Sequence, residues 1–317
     1  MSANEVTSEA VHALLSRWLP DRTITATRAQ SGGSTPVYRV EAGREVFFLR
    51  LAEQAGERRD AEVRTHRLLT DAGVPVPSIV RFESEPGELD RSAALTTSMP
   101  GAPLLDWPGV DLDAASRRRV ACAAGRDLAR INRIRVHGFG WVETVAQTDR
   151  SLVAEYPARS GWMSAYALAA REVVANRLLD DRTIESLRTA IERWIGKPDR
   201  TLGFLAHGDF DATHIFILAS PYTYTGIIDL GEIRGADQLY DLGHALLQDG
   251  QSDREPFFES LYAGYREVTP LPAGALADIR DQAIAIGTRQ LAIFWQRSSS
   301  HSGWLASRLD ALLSEVG

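Results

Sequence analysis

One short segment, Met99-Pro100-Gly101-Ala102-Pro103, divides this chain into two parts with different hydrophobic periods. Two prolines and a glycine in five positions cannot continue a helix interior or a central strand, so the chain must turn or link there. Before this point strand patterns dominate. TITATRA (23–29) and VYRVE (37–41) flank a Ser/Gly loop at 31–36, EVFFLRL (45–51) follows, and two further strands fit Ile79–Glu83 and Ala93–Ser98. An N-terminal helix precedes them. A second helix fits 57–72, with Glu62, His66 and Leu69 on one face and Gly73 and Val74-Pro75-Val76-Pro77 after it.

Beyond residue 103 the period becomes helical. Val120, Ala124, Leu128 and Ile131 mark one buried helix face, Leu276, Ile279, Ala283 and Ile286 another. Further helices are expected near 160–178, 182–195, 237–248, 254–267 and 301–315. Between them lies a β island: GFLA before His207, HIFIL after it, and TGIID ending at Asp229. The expected fold class is α+β, with a sheet-based lobe over 1–99, a linker over 100–103 and a mainly helical lobe over 104–317. A length of 317 residues gives both lobes enough apolar material for a core.

Composition removes several classes of function. The net charge is -7, which argues against a nucleic-acid partner, because such binding rests on phosphate neutralisation by Lys and Arg. The acidity is concentrated: between His207 and Glu255 nine acids stand against Arg234 and Arg254. Cys122 is the one cysteine, so no intramolecular disulfide or zinc ribbon can form, and a reducing cytoplasm is the expected location. No apolar run of about 18 residues and no leader-like start are present, so no membrane association is expected. Lys197 is the only lysine among 35 basic residues, and Pro198 follows it, which excludes a P-loop.

The sharpest chemical signal is in the β island. His207-Gly208-Asp209-Phe210-Asp211-Ala212-Thr213-His214 and Gly226-Ile227-Ile228-Asp229 each place an acid just after a short apolar strand. Either acid alone reads as a turn or cap residue. Together, Asp209 can orient or deprotonate a hydroxyl while Asp229, with His214 as a second ligand, holds a divalent cation against phosphates, which are the parts that phosphoryl transfer needs.

HGDFDATH (207–214) and IIDLGEIRGADQLYDLGH (227–244) resemble two segments of the aminoglycoside phosphotransferase and antibiotic kinase family, H-G-D-x-x-x-x-N and I-D-W-x-x-x-x-G-D-P-x-x-D-L-A. The resemblance runs in order over nearly the whole chain. It takes in the strand ending Leu49-Arg50-Leu51, the helix with Glu62, the Pro-Val-Pro segment and the linker. It implies the bilobal fold of protein kinases, a Mg²⁺ cofactor and ATP or GTP as donor. By position, Asp209 is the implied catalytic base and Asp229 a Mg²⁺ ligand, while His207, Gly208 and Asp241 shape the loop. Arg50, paired with Glu62, would contact the α/β-phosphates; Arg keeps the charge of the lysine more usual there and adds a bidentate fork. Ser34 and Thr35 fall in the nucleotide loop, and Thr96, Thr97 and Ser98 in the hinge that reads the purine.

His214 departs from the family's asparagine and is similar to the histidine of macrolide kinases. Either Asp229 holds the metal while His214 touches a phosphate or water, or Mn²⁺ substitutes more readily than usual; a purely structural His214 is the third reading. Leu230 and Gln238 also depart, at positions of packing. The chain looks closest to the hygromycin kinase branch through Gly138-Phe139-Gly140-Trp141, the His-Gly-Asp-Phe run and Glu232.

The implied partner is a small-molecule hydroxyl acceptor, attracted by the acidic stretch if it is cationic. An aminoglycoside, a macrolide or a peptide or nucleoside antibiotic would make this a resistance enzyme, and homoserine or choline would make it a metabolic kinase. Glu232 either faces the acceptor or caps a helix, and Asp237 is a further acidic candidate. Trp162, Tyr166 and Trp295 either stack on the acceptor or belong to the core. The alternatives are a kinase-fold nucleotide-binding protein without turnover and a metal-dependent hydrolase built on Asp209, His214 and Asp229, which leaves the first lobe without a task. A monomer or homodimer is expected.

Overall fold

The computed structural model describes residues 6–29, 36–54, 59–104, 112–143, 151–219, 221–249, 256–297 and 301–314. Helix α1 (Ser8–Trp18), its N-cap Thr7 accepting the Ala10 N–H at 3.2 Å, precedes β1 (Ile24–Arg28), β2 (Val37–Ala42) and β3 (Glu45–Leu51). Helix α2 (Asp60–Asp71), β4 (Ile79–Glu83) and β5 (Ala93–Thr97) complete the first lobe. Its antiparallel sheet has the order β1-β2-β3-β5-β4. Period-two alternation sends Tyr38, Val40, Phe47, Leu49 and Leu51 to one face, where they join Leu14 and Leu15 of α1 in one core. Arg50 therefore points away from that core, toward α2 and the cleft.

The linker is partly a strand. β6 (Ala102–Pro103) pairs with β11 (Ile215–Leu218), and a Cβ at Gly101 would lie 1.9 Å from the Ile217 carbonyl oxygen, so the approach of the two backbones requires glycine. Helix α3 (Ala114–Ile131), capped by Asp113, buries the expected Val120, Ala124, Leu128 and Ile131. After it come β7 (Arg135–His137), β8 (Phe139–Val142), β9 (Leu152–Tyr156), α4 (Arg159–Ala175), α5 (Asp181–Ile195) and β10 (Leu202–Ala206). Next are β12 (Thr223–Ile227), a short 3₁₀ turn (Leu230–Glu232), β13 (Arg234–Ala236), α6 (Tyr240–Gln248), α7 (Phe258–Val268), α8 (Ala275–Gln296) and α9 (His301–Ser314).

The second lobe holds more β structure than the helical pattern predicts. β10, β13, β8, β9 and β7 close into a small barrel, and four of these strands are absent from the sequence expectation. β7, β8 and β13 are only three or four residues long, too short for an alternation to register. Leu276 is 52% exposed and does not belong to the buried face assigned to it, whereas Ile279, Ala283 and Ile286 do. Helix α8 is buried almost all round and forms the spine of the second lobe's core together with α4, α5, α6 and α9. No helix among the described residues is long and apolar enough to cross a membrane.

Candidate active site

Strand β10 delivers His207, Gly208 and Asp209 to the cleft. Gly208 sits at φ +92°, and a Cβ there would lie 1.9 Å from the Glu232 carbonyl oxygen, so no other residue fits this turn. Asp241, fully buried in the first turn of α6, accepts the N–H groups of His207 (2.8 Å) and Gly208 (2.9 Å) and the Asn132 side-chain amide (2.7 Å). Burial, followed by the neighbouring His214, holds His207 below the ordinary imidazole pKa. Its Nε2 lies 2.8 Å from the Ile228 carbonyl, which only accepts, so the neutral ring donates there and ties the two acid-bearing turns together.

The Asp209 side chain is about half exposed, with Oδ1 3.3 Å from Nε2 of the buried His244. Burial pushes the Asp209 pKa up, but the hydrogen bond from His244 and the charge of His244 and His214 outweigh it and leave the carboxyl well below the usual range. It is an ionised acceptor facing the cleft.

Asp229 follows β12 in a left-handed backbone conformation (φ +64°), one of three non-glycine residues with positive φ among the described residues. Such strain persists only where the surroundings hold it. Here Oδ1 accepts from the Gly231 N–H at 3.3 Å and from Arg50 Nη1 at 2.8 Å. Arg50 also places Nε 3.3 Å from Glu62 Oε1, and the other Glu62 oxygen receives Arg59 Nη1 at 2.5 Å. Burial raises the pKa of both acids, yet Arg50 and its neighbours prevail, lowering Glu62 and bringing Asp229 to about 2.

His214 stands between the two acids. Its Nδ1 is 2.6 Å from the Asp209 carbonyl oxygen and must donate there. Its Nε2 lies 3.8 Å from Asp229 Oδ2, and whenever that nitrogen carries no proton the two acceptors can share a cation. Among the described residues no group of three or more His, Cys, Asp or Glu side chains forms a metal cage. Mg²⁺ does not need one, because it binds through one or two protein ligands with waters and substrate phosphates completing the octahedron. The donors present therefore fit such an ion.

The expected residues divide clearly. Asp209, His214, Asp229, Arg50 and Glu62 converge, with His207 and Asp241 beneath them. Glu232 joins them: burial, together with Asp209 and Asp229, raises its pKa, and its carboxylate receives Arg234 Nη2 at 2.7 Å. Asp237 does not, because Arg159, Arg200 and Gln282 occupy its oxygens. Trp162 and Tyr166 are likewise corrected to core residues, 5% and 1% exposed, packed edge to face at 5.1 Å within an aromatic cluster with Trp194. Trp295 lies half-exposed near the end of α8.

At the hinge, Thr97 and Ser98 already donate their N–H groups to the Ser78 and Val46 carbonyls, so neither N–H can read a purine without breaking those bonds. Ser34 and Thr35 lie outside the described residues.

A family model described as the phosphotransferase enzyme family (APH) matches residues 25–277. The chain belongs to the phosphotransferase enzyme family. It is accordingly a phosphotransferase enzyme. Solved structures share the fold of this phosphotransferase. Aminoglycoside phosphotransferase APH(4)-Ia superposes with a TM-score of 0.68 at 17% identity, covering 97% of this chain and 99% of that one. A thermostable mutant of APH(4)-Ia in ternary complex with ADP and hygromycin B gives 0.65 at 17% identity, over 96% and 98% of the two chains. A Thermobifida fusca protein provisionally described as a fructosamine-3-kinase gives 0.58 at 17% identity, over 97% and 100%. No curated protein matches the sequence.

Three supporting residues of this phosphotransferase escaped the sequence reading. His244 touches Asp209, Arg59 shares Glu62 with Arg50, and Asn132 donates both to Asp241 and to the Leu205 carbonyl at 2.9 Å. His244 had a legible signal: a lone histidine inside the otherwise apolar run Leu242-Gly243-His244-Ala245-Leu246-Leu247.

Proposed function

We propose that this phosphotransferase moves the γ-phosphoryl group of ATP or GTP to a hydroxyl of a small, cationic acceptor of the aminoglycoside type, with Mg²⁺ as cofactor, and thereby gives antibiotic resistance. The observation that carries this reading is the placement of Asp209 and Asp229 on either side of His214, with Arg50 reaching the same point from the first lobe. The acidic surroundings, Glu232 included, favour a cationic acceptor, and a relative of the same fold holds ADP and hygromycin B.

Each side chain has a task in that reaction. Asp209 accepts a hydrogen bond from the acceptor hydroxyl and aligns it with the γ-phosphorus. The acceptor oxygen forms the new O–P bond as the bond from the γ-phosphorus to the bridging oxygen breaks, and the hydroxyl proton passes to Asp209. Because the transition state of phosphoryl transfer is loose, this proton moves late, and a weakly basic carboxylate suffices. Arg50 holds the phosphates with Glu62 fixing its direction, and Asp229 and His214 are the residues that would hold Mg²⁺. When bound, the ion neutralises charge on the transferring phosphoryl group.

The testing experiment is growth of a sensitive bacterium expressing the gene across aminoglycosides, macrolides and peptide and nucleoside antibiotics. Resistance confined to one class names the acceptor. Sensitivity to all, together with ADP or GDP release on homoserine, choline or fructosamine compounds, would favour the metabolite-kinase reading suggested by the fructosamine-3-kinase likeness.

A further inference from the structure

His244 is 1% exposed, yet both of its ring nitrogens face acceptors: Nδ1 lies 3.1 Å from the Phe210 carbonyl oxygen and Nε2 lies 3.3 Å from Asp209 Oδ1. A neutral imidazole has one N–H and could serve only one of them. Gln290 on α8 brings its side-chain amide within 3.4 Å of the same His244 Nε2, and with its oxygen toward the ring that amide accepts from an N–H there.

We infer that His244 is a buried imidazolium that positions the Asp209 carboxylate, holding Oδ1 and leaving Oδ2 to the acceptor hydroxyl. This rests on Asp209 being the base and adds a group that acts through it. The charged groups around the ring are consistent with it. Asp209 and Asp211 on the loop both favour the cation, Gln290 from α8 is neutral, and Asp241, one turn earlier on α6, is fully engaged by His207, Gly208 and Asn132. Burial works against the charged ring, but the hydrogen bond and charge of Asp209 prevail, and the His244 pKa lies above the ordinary imidazole value.

Two consequences follow. A buried cation keeps Asp209 ionised whether or not nucleotide is bound, so the base needs no activation step when substrates arrive. It also weakens that base, so Asp209 acts more by orientation than by drawing off the proton early, which a loose transition state permits.

The test is side-chain nitrogen NMR of the seven histidines in the full chain, with His244 assigned by the signal lost in His244→Gln. At pH 7.5 both ring nitrogens of His244 should be protonated, and in Asp209→Asn, where the partner's charge is gone, its titration midpoint should fall by about one pH unit or more. A single-protonated His244 at pH 7.5 in the wild type, or a midpoint that Asp209→Asn leaves in place, would overturn the inference. The result is independent of turnover. Should Asp209→Ala retain activity, the base assignment fails while the NMR still reports on His244.

Discussion

Arg50 and Asp229, 179 positions apart in sequence, meet at 2.8 Å across the cleft. The guanidinium that should receive phosphates thus already holds the carboxylate that should receive the metal, and Glu62 and Arg59 fix it from behind. A charge-assisted hydrogen bond to phosphate contributes about 1.5–3 kcal/mol, so Arg50→Ala should weaken ADP binding in the presence of Mg²⁺ roughly ten- to hundredfold. Arg50→Lys keeps the charge without the fork and should lose less. Titration calorimetry checks both, and an unchanged affinity in Arg50→Ala would remove Arg50 from the phosphate site.

The same pair predicts how stability depends on pH. The Asp229 pKa is about 2 in the folded chain, below the value of about 4 for an unfolded aspartate. A depressed carboxylate contributes stability that is fully present above pH 4 and is lost as pH falls through the folded value. Thermal unfolding followed from pH 6 to pH 2 should show this acid-side loss, and Asp229→Asn should show a smaller one. Equal slopes would mean that the pair adds nothing to the fold.

Gly208 offers a backbone test. Its φ of +92° and the 1.9 Å contact that a Cβ would make mean that Gly208→Ala must shift the turn carrying Asp209. The strain should cost at least about 1–3 kcal/mol in unfolding free energy and reduce turnover further, because Asp209 moves with the turn. Denaturant unfolding beside an activity measurement separates the two effects.

Trp162 tests the correction from acceptor site to core. Trp162→Ala should lower stability by about 3–5 kcal/mol, in line with other large-to-small changes at buried aromatics. In the fraction that remains folded, the KM for the acceptor should be unchanged. A raised KM with near-normal stability would return Trp162 to the acceptor site.

How much of this was legible in the sequence follows from the kind of information each residue carries. Arg50, Glu62, Asp209, His214 and Asp229 sit beside strong local patterns, a dense strand, a helix face and two strand-end turns, and those patterns place them. Apart from β10, the barrel strands carry no such pattern; β7, for one, has only three residues. Asp237 looks like a site acid because it lies in the acidic stretch, but its role is set by Arg159, which is 78 positions away. Trp162 and Tyr166 are ambiguous for a related reason: an aromatic residue on a helix reads the same whether its ring meets a ligand or another helix, and only packing distinguishes them.

On the proposed function, Asp209 receives the hydroxyl proton during phosphoryl transfer. The most direct measurement is the rate of phosphate transfer from ATP with Mg²⁺ to a panel of hydroxylated acceptors led by hygromycin B, for the wild type and Asp209→Ala at equal nucleotide occupancy. The wild type should transfer phosphate to at least one acceptor, and Asp209→Ala should lose about 10²–10⁴-fold in kcat. Full turnover by Asp209→Ala on that same acceptor would contradict that role of Asp209.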